Sequence, residues 1–237
     1  MNFKCSVCMA TYNGGKFIFH QIESILAQLS IDDELIISDD GSTDDTITIA
    51  KSFNDPRVKF FLNGRRRGPV GNFENALSKA SGDIIFLADQ DDKWLENKIR
   101  KHLKLHAEYD LVISDARIVN EFGEIIGNSF FEERGSKPGL INNLVKNSYH
   151  GCCMSFNRKI LNQALPFPPN IHMHDWWIGL VAELKGKTHF CSDRLINYVR
   201  HQGNASPEIG KSAYSLKRRM NNRFSLIYGL FSILSKK

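Results

Sequence analysis

The stretch "IIFLADQDDKW", residues 84–94, decides the reading. The run from Ile84 to Ala88 leads straight into Asp89, Asp91 and Asp92, and Trp94 follows. A continuous apolar run is how a strand buried on both faces of a parallel sheet reads, whereas a half-exposed strand alternates. Such a strand ending in three carboxylates, on a chain of net charge +5, raises the question of what neutralises them.

Working outward, similar short runs recur: "FKCSVCM" (3–9), "ELIIS" (34–38), "VKFFL" (58–62) and "LVIS" (111–114). Helical stripes separate most of them: Ile22, Ile25, Leu26 and Leu29; Ile47 and Ala50; Phe73, Ala76, Leu77 and Ala80; Leu95, Ile99 and Leu103. Alternating strands and helices predict an α/β fold, an open and mostly parallel central sheet flanked by helices. Further on, "RIVNEFGEIIG" (117–127) predicts a hairpin around Phe122-Gly123. Residues 128–139 predict a mobile polar loop, and a helix is expected around 175–185.

The 237 residues suit one large domain or two small ones, and 42% apolar content supports a proper core. The modest positive charge permits an anionic partner without demanding one. Of the five cysteines, Cys5 and Cys8 imitate a metal motif, but they sit inside a strand-like run without the turn a zinc knuckle needs. They read as buried small hydrophobes. The odd count, with no leader pattern, points to a reducing, cytosolic setting. No apolar run approaches the ~20 residues that span a bilayer.

Ligands of open parallel sheets bind beyond the carboxyl ends of the strands. Here three strand ends bring six carboxylates: Asp39 and Asp40 after "ELIIS", Asp89, Asp91 and Asp92 after "IIFLA", and Asp115 after "LVIS". Crowded carboxylates repel and raise each other's pKa. A divalent cation relieves this, all-oxygen ligation suits Mg²⁺ or Mn²⁺, and the cation would in turn hold a diphosphate. Each motif also has a structural reading. Asp92 would cap a helix beginning near Trp94, Asp40-Gly41 would be a turn, and Ser42 with Asp45 a capping arrangement. Their recurrence at successive strand ends favours ligand binding.

"SVCMATYNGGKF", "DELIISDDGSTDDT", "GDIIFLADQDDKW" and "HDWW" occur in that order. Together they resemble the family 2 glycosyltransferases, inverting nucleotide-sugar enzymes of GT-A type, over roughly residues 3–206. "DQDDKW" and "HDWW" resemble the bacterial branch that builds O-antigen and other surface polysaccharides. The resemblance implies a GT-A (Rossmann-like) domain over 1–207, with a nucleotide-binding half 1–115 and an acceptor half 116–207. A basic amphipathic tail, 208–237, would follow.

It also implies roles. Ala10, Tyr12 and Asn13 would line the nucleobase pocket, with Asp40 accepting the base imide N–H. Asp89, Asp91 and Asp92 match the DxD region, with Asp91 and Asp92 nearest the metal and diphosphate. Asp175 matches the general base, and Trp176 and Trp177 would shape the acceptor side. Both tryptophans are equally read as core residues beside a helix start. His172 and His174 lack further ligands at zinc spacing. Relatives often carry Tyr-Arg-x-His-Gly where this chain has "VRHQGN", so His201 sits one place early and Gln202 takes the usual slot. His201 is read as a metal ligand or a plain loop residue, and Arg200 as a diphosphate contact. Arg65, Arg66 and Arg67 read as phosphate contacts or, in preference, as a solvated loop. Asn72, near a helix start, would cap it or touch the donor.

The expected reaction moves a sugar from a nucleoside-diphosphate sugar, UDP-galactose or UDP-glucose first and dTDP-rhamnose next. The acceptor would be a glycan that is lipid-anchored or linked to undecaprenyl diphosphate, with Mn²⁺ or Mg²⁺ as cofactor and no nucleic acid. Two rivals are a nucleotidyltransferase, whose glycine-rich, lysine-bearing N-terminal loop "TYNGGKF" matches poorly, and a non-catalytic nucleotide-sugar sensor. The tail mixes Lys217, Arg218, Arg219 and Arg223 with Leu216, Phe224, Ile227, Leu230, Phe231 and Leu234. It is expected to lie on the inner face of the cytoplasmic membrane, with packing on the domain as its alternative.

Overall fold

The computed structural model describes residues 3–201, 203–204 and 215–235. Strands β1 (Cys5–Thr11), β2 (Glu34–Asp39), β3 (Val58–Leu62) and β4 (Ile84–Asp89) alternate with helices α1 (Ile18–Leu26), α2 (Thr46–Ser52) and α3 (Pro69–Leu77). All three adjacent strand pairs, in the order β3-β2-β1-β4, are parallel. Burial explains the unalternating sequences: every residue of β2 is buried, and so is all of β4 except Asp89. Edge strand β3 has no fully buried residue.

Beyond β4 come β5 (Lys93–Trp94), α4 (Lys98–Leu105), β6 (Leu111–Asn120), β7 (Ile125–Gly127), α5 (Phe130–Arg134) and α6 (Leu140–Val145). A single 3₁₀ turn at Gly151–Cys153 leads into β8 (Met154–Asn157), followed by α7 (Arg158–Ala164), α8 (His174–Lys185), β9 (Thr188–Arg200) and α9 (Leu216–Ser235). Among the described residues these complete one nine-stranded sheet, ordered β3-β2-β1-β4-β8-β6-β9-β5, with β7 on β6. β8 enters antiparallel between β4 and β6, and β6–β9 is parallel again. The sheet is therefore parallel in its first half and mixed in its second.

The hairpin forms as expected, with Gly123 N–H donating to the Asn120 carbonyl. Residues 128–139 are not simply a loop. Ser129 caps α5 by accepting the Glu132 N–H, and Phe130 is buried in the core. From His174 to Ala182 every residue of α8 is buried, so this helix runs through the protein and not along its surface. Cys5 and Cys8 are three apart on β1, point to opposite faces and cannot share an ion; both are free thiols.

Of the tail's two alternatives, packing on the domain is the one the described residues show. In α9, Leu226, Leu230 and Ile233 are buried in the main core, while Met220, Phe224, Phe231 and Leu234 are exposed. Gly229 permits the close approach: a Cβ there would lie 2.8 Å from the Trp177 ring. No described helix is long and apolar enough to cross a membrane. Residues 208–214, 236–237 and Gln202 lie outside the described residues.

Candidate active site

The ends of β1, β2, β4 and β9, the 3₁₀ turn and the start of α8 supply the side chains. Ala10 lies in register between Ser38 and Asp89, a small residue where the first strand meets the two acidic ends. Tyr12, 55% exposed, presents its ring to solvent. Its main chain is held by the Gln90 carboxamide, which accepts from its N–H at 2.9 Å and donates to its carbonyl at 3.1 Å. This latch requires glycine two residues on: a Cβ at Gly14 would lie 2.2 Å from Gln90 Oε1. Asn13, at φ +47, accepts from Thr43 N–H and donates its own N–H to Ser42 Oγ, tying the two loops together.

Asp40 accepts from Asn63 Nδ2 and Gly68 N–H, both at 2.7 Å. Each carboxylate oxygen keeps a second lone pair for a ligand N–H. Asn72 does not cap α3, which begins at Pro69 after Gly68. Its Nδ2 donates to the Thr11 carbonyl at 3.0 Å, and its buried Oδ1 has no partner.

Two of the six expected carboxylates do not join the site. Asp39 is consumed by its own turn, accepting from Thr11 Oγ1, Gly41 N–H, Ser42 N–H and Ser42 Oγ. Asp115 lies within β6, which continues five residues past it. It accepts from Ser129 Oγ at 2.6 Å and Phe131 N–H at 2.9 Å, so it anchors α5. The capping readings also fail. Asp92 precedes a strand and accepts the Val199 N–H at 3.1 Å, and Asp45 makes no side-chain cap.

The remaining acids do converge. Asp89, Asp92 and the Cys152 thiol lie within 4.8 Å of one another. Burial, then the charge of Asp91, pushes both carboxyls up, Asp89 to about 8 and Asp92 well above its usual range. Cys152 is itself a buried thiol with its pKa raised, chiefly by its neighbour Cys153 and by burial, so it is a donor here and not a thiolate. Asp92 Oδ2 is buried with no partner. Asp91 Oδ2 meets His201 Nε2 at 2.8 Å and Asn204 Nδ2 at 3.1 Å, and Phe17 stacks on the His201 ring at 4.5 Å. The one-place shift thus still delivers His201 to Asp91, because the end of β9 is aimed there. The clustered Asp89 and Asp92 carboxyls, the latter with an orphaned oxygen, beside the charge of Asp91 and its flanking imidazole, are a donor set that fits Mn²⁺ or Mg²⁺.

Asp175 stands in the first turn of α8, where the helix dipole favours its charge. It accepts from Gly151 N–H at 3.2 Å and from Trp176 N–H at 2.7 Å. Burial outweighs these bonds and the nearby Arg134 charge, and its pKa rises to about 6. Its charge also raises that of Asp89, which puts the two carboxyls in one electrostatic unit. His174 stacks on Phe73 at 3.9 Å and is pushed down to about 3 by burial, so it is a neutral packing group.

The tryptophans pack instead of lining a mouth. Trp177 is fully buried and donates its indole N–H to the Ala164 carbonyl at 2.9 Å. Trp176, 8% exposed, donates to the Asn143 carbonyl at 2.7 Å. Their aromatic bulk fixes α8, and hence Asp175, against α6 and α7. Arg200 lies with its guanidinium 5.8 Å from the Tyr198 ring. The sequence reading missed Arg134, at the end of α5, 5.1 Å over the Phe130 ring with its Nε unpaired. It also missed Gln90 and Asn204. Only Gln90, inside the acidic motif, carried a local signal.

The sequence profile of glycosyl transferase family 2 matches residues 6–165. The chain belongs to glycosyl transferase family 2. This family 2 chain is 31% identical over 183 residues to the UDP-Glc:alpha-D-GlcNAc-diphosphoundecaprenol beta-1,3-glucosyltransferase WfgD of Escherichia coli, covering 76% of this chain and 69% of that protein. It is 32% identical over 136 residues to the GalNAc(5)-diNAcBac-PP-undecaprenol beta-1,3-glucosyltransferase of Campylobacter jejuni, covering 56% of this chain and 40% of the relative. Residues 1–349 of S. aureus TarS, in complex with UDP-GlcNAc, share the fold with a TM-score of 0.75 at 18% identity, over 96% of this chain and 66% of that one. The Pyrobaculum calidifontis mannosyltransferase PcManGT, in complex with GDP-Man and Mn²⁺, shares it with a TM-score of 0.66 at 20% identity, over 100% of this chain and 66% of that one.

Proposed function

We propose that this chain transfers glucose from UDP-glucose, with inversion, to a hydroxyl of a glycan borne on undecaprenyl diphosphate, in bacterial surface-polysaccharide synthesis. The observation that carries the reading is the buried Asp175 carboxyl in electrostatic contact with Asp89, beside Asp91 and Asp92. The two bacterial relatives support glucose over galactose or rhamnose, since both are named as beta-1,3-glucosyltransferases on undecaprenol-linked acceptors.

The uracil packs on Tyr12 over the floor made by Ala10, and Asp40 accepts its imide N–H. The unpaired Asn72 Oδ1 offers a second acceptor on the donor side. Asn13 contributes by fixing the β1 and β2 loops. Asp91 and Asp92, with His201 flanking and Asp89 behind, would hold Mn²⁺ or Mg²⁺. Such an ion, when bound, neutralises charge on the departing diphosphate. Arg134 and Arg200 add positive charge on the same side. Asp175 accepts the proton of the acceptor hydroxyl as that oxygen attacks the anomeric carbon and the bond to the diphosphate oxygen breaks. One displacement inverts the centre, so no protein nucleophile is needed. Trp176 and Trp177 serve by holding α8, and the acceptor meets Asp175 where the 3₁₀ turn and α8 adjoin.

A lipid-linked acceptor and the basic, apolar outer face of α9 both support a location at the inner face of the cytoplasmic membrane. The test is turnover: protein, UDP-glucose, Mn²⁺ and a synthetic GlcNAc-diphospho-lipid should yield a β-linked disaccharide. Absence of both transfer and donor hydrolysis across a full nucleotide-sugar panel would overturn the reading.

A further inference from the structure

We propose that α6 and the outer face of α9 form one composite surface that docks on an anionic lipid bilayer, with Arg223 locking the two helices together. The proposal rests on the lipid-linked-acceptor reading above and deepens it. α9 spends one face on the core, through Leu226, Leu230 and Ile233. Its opposite face keeps Met220, Phe224, Phe231 and Leu234 more than half exposed, at helical spacing. α6 adds Ile141 and Val145, one turn apart and 78% and 65% exposed. A monomer in water gains nothing from leaving these apolar residues uncovered on two adjoining helices.

Arg223 joins them. Its Nε donates to the Leu144 carbonyl at 3.1 Å and one terminal nitrogen to the Val145 carbonyl at 2.5 Å. These are carbonyls at the end of α6 that lack helical partners, so the guanidinium both caps α6 and pins α9 beside it. α6 is tied in turn to the catalytic helix, since Trp176 donates to the Asn143 carbonyl. The exposed face and Asp175 therefore belong to one rigid unit.

Charge selects the occupant. Residues 215–235 contain no acidic side chain, and Lys217, Arg218 and Arg219 are exposed at the start of α9. An apolar stripe edged by cations suits a surface of anionic headgroups over acyl chains, and suits a second copy of the same basic face poorly.

The test is sedimentation with vesicles of phosphatidylglycerol and phosphatidylethanolamine, against pure phosphatidylcholine. The wild type should bind the anionic vesicles, and more weakly as salt is raised. Phe224→Glu with Phe231→Glu, and separately Ile141→Glu with Val145→Glu, should each lower partitioning at least about tenfold. Thermal melting and turnover of a short-chain, water-soluble acceptor should stay unchanged, because all four positions are exposed and outside the site. If the α9 pair abolishes binding and the α6 pair does not, the composite surface is wrong while a tail anchor stands. If the wild type ignores anionic vesicles yet turns over the soluble acceptor, the bilayer proposal fails and the glycosyl-transfer reading survives. A wild-type dimer that Phe224→Glu with Phe231→Glu dissolves, without vesicle binding, would give the face to a second copy and overturn the proposal.

Discussion

Replacing Asp175 by Asn should destroy turnover and stabilise the protein, a combination that separates a catalytic carboxylate from a structural one. The carboxyl rises from 3.8 to about 6, driven first by burial. One pKa unit corresponds to about 1.4 kcal/mol, so ionised Asp175 costs the fold about 3 kcal/mol. The sign follows from the direction. A raised carboxylate pKa means the folded state binds the proton more tightly, so the cost is full above about 6 and vanishes below the unfolded value of 3.8.

Asn keeps an oxygen for the Gly151 and Trp176 N–H groups but makes weaker bonds, which offsets about 1 kcal/mol. The net expectation is a gain of about 2 kcal/mol at pH 8, or roughly 4–8 °C in Tm for a chain of this size, shrinking to nothing near pH 4. The assay is thermal melting from pH 4 to pH 8 in chelator, paired with turnover, which should fall roughly 10²–10⁴-fold. In the wild type, kcat/KM should drop about tenfold per unit as pH falls below about 6, because the base is then protonated. An Asn variant that turns over normally, or one that is less stable at pH 8 than at pH 4 relative to wild type, would refute the reasoning.

Three further outcomes follow from the same geometry. Asp91→Asn, which also weakens the hold on His201 and Asn204, should lower Mn²⁺ affinity about 10–100-fold by calorimetry while the fold's circular dichroism is unchanged. Arg134→Gln should reduce kcat/KM on the order of 10²-fold with little change in Tm; a purely structural Arg134 would instead lower Tm with kcat/KM intact. Leu230→Ala should cost about 2–4 kcal/mol in urea unfolding, since Leu230 is 7% exposed and belongs to the main core, and a free tail would show no loss.

The strands and most helices were legible because burial on both faces writes itself as an unalternating apolar run. β1, β2 and β4 show it, and the acidic ends of β2 and β4 fall where a parallel sheet collects ligands. The limit lay in local pattern standing in for three-dimensional position. Asp115 followed an apolar run as Asp89 does, but β6 continues through it and its charge is spent on α5. α5 itself hid in a polar stretch, since only Ser129 and Phe130 mark it, and Arg134 was hidden with it. "HDWW" signalled Asp175 through resemblance, whereas the tryptophans' indole bonds to Ala164 and Asn143 come from elements remote in sequence. His201 reached Asp91 despite its shifted register because β9, a 13-residue strand, ends against the acidic turn.

The acids at the end of β4 are proposed to grip a divalent ion and, with it, a sugar nucleotide. Calorimetric titration of UDP-glucose into the protein with and without Mn²⁺ tests it most directly. One donor bound per chain in Mn²⁺, lost in chelator and in Asp91→Asn, is the predicted result. Equally tight binding without any divalent ion, or no binding of any nucleotide sugar in its presence, would contradict it.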